Sequence, residues 1–328
     1  MSDRTILVTG AAGFIGFHVA RQLLAQGRHV VGLDNLNSYY DPALKQARLN
    51  ILRGDSQFSF VQTDLSDRSS MGELFARHRF AVVIHLAAQA GVRHSLEHPQ
   101  DYVDANITGH LAVLELARRL PGFRHLVYAS SSSVYGGNDK LPFSVDDPVD
   151  RPLSIYGATK RADELMSRSY GHLFGLPATG LRFFTVYGPW GRPDMAMFIF
   201  TRAILEGRPI TLFNEGEMQR DFTYVDDIVA GVVAALDRPP PSAPGAPPHR
   251  LYNLGNHRSE PLRRLVELVE QALGRKATIE LAPMQPGDAR ASFADIASAT
   301  RDLGFLPRVS IDEGVPRFVA WYREYHYL

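Results

Sequence analysis

The stretch Thr5–Gly16, TILVTGAAGFIG, decides the fold. Ile6, Leu7 and Val8 make the short apolar run of a strand buried on both faces. Gly10, Gly13 and Gly16 follow at three-residue spacing, and Phe14, Ile15, Val19, Leu23 and Leu24 supply an apolar helical face. Strand, glycine turn and helix are the parts of a dinucleotide site. Gly10 permits a tight turn, Gly13 lets backbone approach a pyrophosphate, and Gly16 allows close helix–strand packing. The pyrophosphate sits at the helix N-terminus, where free N–H groups and the helix dipole favour negative charge. Asp34 ends the next apolar run, VVGLD, about 20 residues on, where an acid binds a ribose 2′-hydroxyl.

Outward from this start, apolar runs alternate with helical periodicity. Phe58–Gln62, Ala81–Leu86, His125–Ala129 and Ala178–Phe183 read as strands; Pro99–Leu120 and Ile155–Leu173 read as helices. Such alternation predicts an α/β Rossmann-type fold, a doubly wound parallel sheet with right-handed crossovers. Ligands then bind beyond the carboxyl ends of the strands. Gly10, Asp34, Asp64, Ala88, Ser131 and Thr185 all fall there. Past residue 185 the rhythm changes. TVYGPWGRPD reads as a loop, Met195–Glu206 as a helix whose MAMFIF face is core, and Ile210–Phe213 and Arg220–Val225 as short strands. Asp226–Leu236, Leu262–Leu273 and Pro316–Tyr325 read as helices, Arg238–His249 as a proline-rich surface loop, and Leu251–Leu254 as a strand returning to the main sheet. The expected division is 1–185 for the dinucleotide domain, with returning segments near 219–255, and 186–328 mainly for a smaller C-terminal α/β substrate-binding domain.

Bulk composition narrows the function. The 328 residues are 45% apolar and 21% charged, as in soluble globular proteins. Lys+Arg and Asp+Glu stand at 35 each, so no net field draws the chain to nucleic acid or an anionic membrane. With no cysteine there is no disulfide, thiolate metal site or cysteine nucleophile, and the twelve histidines show no metal-ligand spacing. The early first strand leaves no room for a signal peptide, and no apolar run approaches the ~20 residues of a membrane span. The expected location is the cytoplasm, with no metal.

Tyr156 and Lys160, Y-x-x-x-K at a helix start, share one helix face. A neighbouring ammonium stabilises a phenolate, which makes the pair a general base. Within Ser130–Ser133, Ser131 is the hydroxyl best placed to bond the reacting oxygen, although spacing alone does not separate it from Ser130 or Ser132.

TGAAGFIG, Asp34, HLAAQAGVR, SSSSVYG, YGATK, RFFTVYGP and RDFTYVDD, in that order, resemble the extended short-chain dehydrogenase/reductase family, in particular its nucleotide-sugar epimerases. The resemblance covers nearly the whole chain and implies tightly bound NAD. It places catalysis on Tyr156, Lys160 and Ser131, and the cofactor on Gly10, Gly13, Phe14, Ile15, Gly16, Asp34, Asn35, Asp64, Leu65, Leu86, Ala87, Ala88, Tyr156 and Lys160. The related dehydratases carry an Asp-Glu pair after the catalytic serine or threonine, and decarboxylating relatives keep a Glu there. Ser131-Ser132-Ser133-Val134-Tyr135 has no acid, which points to 4-epimerisation. RFFTVYGPWGRPDMAMF is similar to the UDP-glucuronate 4-epimerases, which implies that Thr185 and Arg192 hold the sugar carboxylate. Oxidation at C4 of a glucuronate gives a β-keto acid prone to lose CO2, so that carboxylate needs a firm grip, and an arginine offers a bidentate one.

By the same resemblance Arg220 binds pyrophosphate, Asp288 ribose and Phe213 the uracil, with Arg93 and Ser132 near the sugar; Trp190 and Gln285 depart from the pattern. The implied partners are a UDP-sugar and a second copy of the chain, joined in a four-helix bundle by the helix near 99–120 and the one starting at Tyr156. UDP-glucose/UDP-galactose 4-epimerisation is the neighbouring reading. A non-catalytic NAD-binding sensor is the reading from another class, and the Ser131/Tyr156/Lys160 set speaks against it.

Overall fold

Every adjacent pair in the central sheet is parallel, as buried apolar strands separated by helices require. The computed structural model describes residues 5–243, 245–285 and 287–328; residues 1–4, Pro244 of the proline-rich run and Pro286 of the QPGD loop lie outside the described residues. The first half runs β1 (Ile6–Thr9), α1 (Phe14–Ala25), β2 (Val30–Asp34), α2 (Pro42–Arg53), β3 (Phe58–Gln62), α3 (Arg68–Arg77) and β4 (Val82–His85). Two single turns, α4 (His94–Glu97) and α5 (Pro99–Tyr102), lead through a π-helical turn at Val103–Thr108 into α6 (Gly109–Ala117). Next come β5 (His125–Ser131), α7 (Ile155–Phe174) and β6 (Ala178–Phe183). The remainder is β7 (Thr185–Tyr187), α8 (Ala196–Leu205), β8 (Ile210–Phe213), β9 (Gln219–Arg220), β10 (Phe222–Tyr224), α9 (Val225–Leu236) and β11 (His249–Leu254). It ends with β12 (Glu260–Pro261), α10 (Leu262–Leu273), β13 (Ile279–Ala282), α11 (Ala297–Leu303) and α12 (Ile311–Tyr325).

The seven-stranded sheet has the order β11-β6-β5-β4-β1-β2-β3. Connections leave β1 toward β2 on one side and reach β4 on the other, so a crevice opens above the carboxyl ends of β1 and β4. Alternate strand residues feed two cores. Ile6, Val8, Ile84 and Val127 pack with α1 and α9 on one face; Leu7, Val83, Leu126 and Tyr128 pack with α3 and α6 on the other. Three two-stranded sheets, β7–β10, β8–β13 and β9–β12, carry the C-terminal part.

Six elements differ from the sequence reading. The expected helix over 99–120 is interrupted by the π-turn, which inserts a residue to aim Asn106 inward. Residues Thr185–Tyr187 form a strand, because β10 offers a parallel partner that local composition does not reveal. The single strand expected at 220–225 splits in two, since β9 pairs with β12 and β10 with β7. The last helix starts at Ile311, capped by Ser310, with Pro316 inside it. The strand Ile279–Ala282 and the helix Ala297–Leu303 carry no strong periodicity and are seen only in the structure.

Among the described residues no helix is long and apolar enough to cross a membrane. Five histidines are buried, and burial lowers each: His85 to about 3, His18, His125 and His249 to about 4, and His110 well below its ordinary value. They are neutral when folded and must charge on unfolding below pH ~6.5, so their stabilisation is present above that pH and lost as it falls toward 4. Burial raises Asp163 to about 7 and Asp221 to about 6, which opposes two of the five. The unfolding free energy is therefore expected to drop between pH 6 and 4.5, by at most about 4 kcal/mol per pH unit for three uncompensated protons. Urea denaturation across that range checks it; a flat profile contradicts the neutral-histidine assignment.

Candidate active site

The glycine turn is built as tightly as its spacing requires. Gly10 has φ +72°, and a Cβ there would lie 2.8 Å from the Ala87 nitrogen. A Cβ on Gly16 would lie 2.0 Å from the Gly10 carbonyl oxygen, so α1 packs on β1 without a spacer. No side chain caps the α1 N-terminus, and Gly13, Phe14, Ile15 and Gly16 line the crevice. This cradle fits a dinucleotide pyrophosphate.

Across the crevice, Asp34 accepts from the Leu36 N–H at 2.8 Å and from the Ala12 N–H at 3.2 Å, which aims its carboxylate at the cradle. Asp64 accepts from the Asn35 amide at 2.7 Å and from the Ser66 hydroxyl at 2.6 Å; these bonds outweigh burial and hold its carboxyl below the usual range. Leu65, Leu86, Ala87 and Ala88 complete the wall.

Ser131, Tyr156 and Lys160 line the same crevice. Their placement follows from how α7 begins. Ser154 caps the helix by accepting from the Gly157 N–H at 3.0 Å, and a Cβ on Gly157 would meet the Ser133 carbonyl oxygen at 2.6 Å. The helix start is thus pressed onto the turn that follows β5. Deeper along α7, Lys160 Nζ donates to the Ala129 carbonyl and to Asp163, both at 3.1 Å. Glu164 receives a bidentate Arg182, at 2.8 and 2.9 Å, and the Ser130 hydroxyl at 2.6 Å. The serines differ in their partners. Ser130 and Ser131 both line the crevice and Ser132 opens the 3-10 turn; Ser130 donates to Glu164, while Ser131 Oγ accepts the Ser133 N–H at 3.1 Å.

Arg192 reaches the crevice from the loop after β7. Its Nε and Nη2 pair with Asp194 at 3.0 and 2.5 Å, and the Tyr39 hydroxyl donates to the same carboxylate at 3.1 Å. Burial and the Asp194 charge push Tyr39 up to about 12, so it remains a donor. The loop is pinned from below by the buried Arg48, which donates to the carbonyls of Ala12, Trp190 and Gly191. Trp190 turns away to pack on Phe17, Trp321 and Tyr325. Thr185 lines a small apolar cavity next door, with Arg192, Phe14, Val186 and Met195 shared between the two walls.

A second cluster gathers the residues expected at the nucleotide half. The Arg93 guanidinium lies 4.5 Å over the Phe213 ring and 3.5 Å from the Asp288 carboxylate. Burial lowers Arg220, whose Nη1 donates to the Gln219 and Arg290 carbonyls, and the Asp288 and Arg93 charges act on it. The loop carrying Asp288 leans on the catalytic end: a Cβ on Gly287 would touch Val92 at 2.9 Å and Ser154 at 4.0 Å.

Sequence reasoning missed Asn106. From the π-turn its amide donates to the Gln89 carbonyl and the Thr159 hydroxyl, both at 3.0 Å, and accepts the Gln89 N–H at 2.9 Å. Thr159 in turn donates to the Tyr156 carbonyl. No local signal marks this asparagine, because its partners lie 17 and 53 residues away.

A dinucleotide cradle facing a serine, tyrosine and lysine is the site of a cofactor-binding enzyme, and the chain belongs to the NAD dependent epimerase/dehydratase family, whose family model matches residues 6–255. It is 48% identical over 329 residues to a probable UDP-glucuronate 4-epimerase of Rhizobium meliloti, with 96% of each chain covered. Its fold matches the UDP-glucuronic acid 4-epimerase of Bacillus cereus, solved with UDP-glucuronic acid and NAD: TM-score 0.90, 34% identity, 98% of this chain and 99% of that one. It also matches the UDP-glucose 4-epimerase of Thermotoga maritima, solved with UDP-glucose: TM-score 0.86, 31% identity, again 98% and 99%.

Replacing Asn106 by Ala strands the Gln89 backbone groups and the Thr159 hydroxyl. The Asn106→Ala variant is expected to lose about 1–3 kcal/mol of stability in urea denaturation, with a lower turnover. Unchanged values of both would mean that the clamp does not hold the site.

Proposed function

We propose that the chain interconverts UDP-glucuronate and UDP-galacturonate by NAD-dependent 4-epimerisation. The observation that carries this reading is the convergence, on one crevice, of the glycine cradle, the Ser131–Tyr156–Lys160 group and a carboxylate-binding arginine. Bound NAD supplies a reversible two-electron redox step at C4 of the sugar. Tyr156 takes the proton of the 4-hydroxyl, Ser131 bonds the same oxygen, and the Lys160 ammonium favours the phenolate. The resulting 4-keto sugar turns over while Arg220 and Asp288 keep hold of the nucleotide, and Tyr156 returns its proton to the opposite epimer. Asp34 repels a 2′-phosphate, which selects NAD over NADP.

The uronate is favoured over a neutral sugar by Arg192. Asp194 occupies its Nε and Nη2, which fixes the guanidinium plane and leaves Nη1 for the sugar carboxylate, with Thr185 beside it. Held this way, the carboxylate bond stays away from the perpendicular to the C4 ketone that decarboxylation needs. Division of labour follows the chain: residues 1–185 with the returning segments near 219–255 serve the cofactor, and 186–328 mainly serve the nucleotide sugar. The same reading includes a cytoplasmic enzyme, in keeping with a chain free of cysteine. It also includes a homodimer through a four-helix bundle of the 99–120 region and α7, whose Leu165, Leu173 and Phe174 are exposed.

Two variants test the reading with paired substrates. Tyr156→Phe is expected to lower kcat on UDP-glucuronate by about 10²- to 10⁴-fold. Arg192→Ala is expected to lower kcat/KM on UDP-glucuronate by roughly 10- to 100-fold, the worth of a charge-assisted hydrogen bond, without a matching loss on UDP-glucose. Equal losses on both sugars would favour the UDP-glucose reading, and a parent protein without turnover would favour a sensor.

A further inference from the structure

Asp163 is a buried acid that the reaction above does not use. Its side chain and that of Lys160 are 1% and 3% exposed, and Lys160 Nζ lies 3.1 Å from Asp163 Oδ2. The other carboxylate oxygen, Oδ1, is buried with no hydrogen-bond partner among the described residues. The next residue gives the contrast. Glu164 is equally buried, yet Arg182, Ser130 and Arg161 satisfy both of its oxygens, and together they outweigh burial to hold its carboxyl below the usual range. Glu164 is explained by packing. Asp163 is not: one of its oxygens has no partner among the described residues, and its one ion-pair partner is Lys160, whose buried ammonium would be left uncompensated without it.

We propose that Asp163 is a positioning residue for the redox site: it fixes the Lys160 ammonium in a solvent-free ion pair and sets how much of that positive charge reaches Tyr156. This rests on the reading that Tyr156 and Lys160 run the proton step. The surroundings leave little else to tune the charge. From its own helix Asp163 meets Lys160 and Glu164, the latter neutralised by Arg182. From β5 it faces Tyr128, which burial holds well above its ordinary value and which bonds His249 of β11. From α6 it faces His110, and beyond that lies His85 of β4. These three histidines are kept neutral by burial. Among these groups Lys160 is thus the one cation paired with Asp163, and Asp163 Oδ1 is left without a partner among the described residues.

Burial lifts Asp163 to about 7 although Lys160 pulls it down, so its charge changes within the working pH range. Ionised Asp163 cancels part of the Lys160 field and keeps Lys160 protonated. Removing that charge in Asp163→Asn strengthens the field at the Tyr156 phenol and weakens the hold on the lysine proton. Both limbs of the kcat/KM profile are then expected to move to lower pH, the alkaline limb by about one unit and the acid limb by less. Asp163→Glu, which restores the charge, is expected to return the profile toward the parent's.

Superimposable profiles for the parent and a folded Asp163→Asn would overturn the proposal. If neither variant folds, carboxyl 13C NMR on the Lys160→Met protein decides the matter: the Asp163 titration is expected to rise by at least one unit relative to the parent, and an unmoved titration refutes the pairing. Tyr156→Phe runs alongside. Full turnover in that variant removes the underlying reading, whereas an inactive Tyr156→Phe with an unmoved Asp163→Asn profile removes only this inference.

Discussion

The seating of α7 on the end of β5 is the contact on which the redox site depends. Gly157 lies against the Ser133 carbonyl, Lys160 donates to Ala129, and Glu164 receives both Ser130 and Arg182. Three successive turns of one helix are therefore tied to β5 and the turn that follows it. Tyr156 and Ser131 come from different elements, and this stitching is what keeps a phenol and a hydroxyl on one wall. The cost is several buried charges, which the structure balances as Glu164–Arg182 and leaves taut as Asp163–Lys160.

The two halves of the crevice are held by different means. The cofactor half relies on absent side chains: Gly10 and Gly16 bring backbone to within contact, and no side chain caps the α1 N-terminus. The side that carries Arg192 relies on charged side chains anchored from behind. Arg48 carries the loop of Arg192, and Asp194 with Tyr39 orients the guanidinium. A rigid backbone cradle suits a cofactor that stays.

The parts legible in the sequence are those encoded by local spacing. The glycine triplet, Asp34 at the end of β2 and the i,i+4 pair Tyr156–Lys160 are each written within a few residues of chain. What distinguishes the serines is not so written, because the partner of Ser130 is Glu164, 34 residues away. Asn106 is hidden for the same reason, whereas Asp163 and Asp194 sit only three and two residues from Lys160 and Arg192 and are hidden because spacing does not report burial. Each looks like an ordinary polar residue until packing brings up its partner. The strand Thr185–Tyr187 was read as a loop because its pairing with β10 spans nearly forty residues that no local pattern reports.

All of these features serve a reversible oxidation at one sugar carbon, and the fate of the hydrogen on that carbon tests it most directly. With UDP-glucuronate deuterated at C4, NMR of the products is expected to show UDP-galacturonate carrying the deuterium at C4, with no CO2 released and no label in the solvent. Loss of the label to water, or release of CO2 in place of the epimer, would contradict the account.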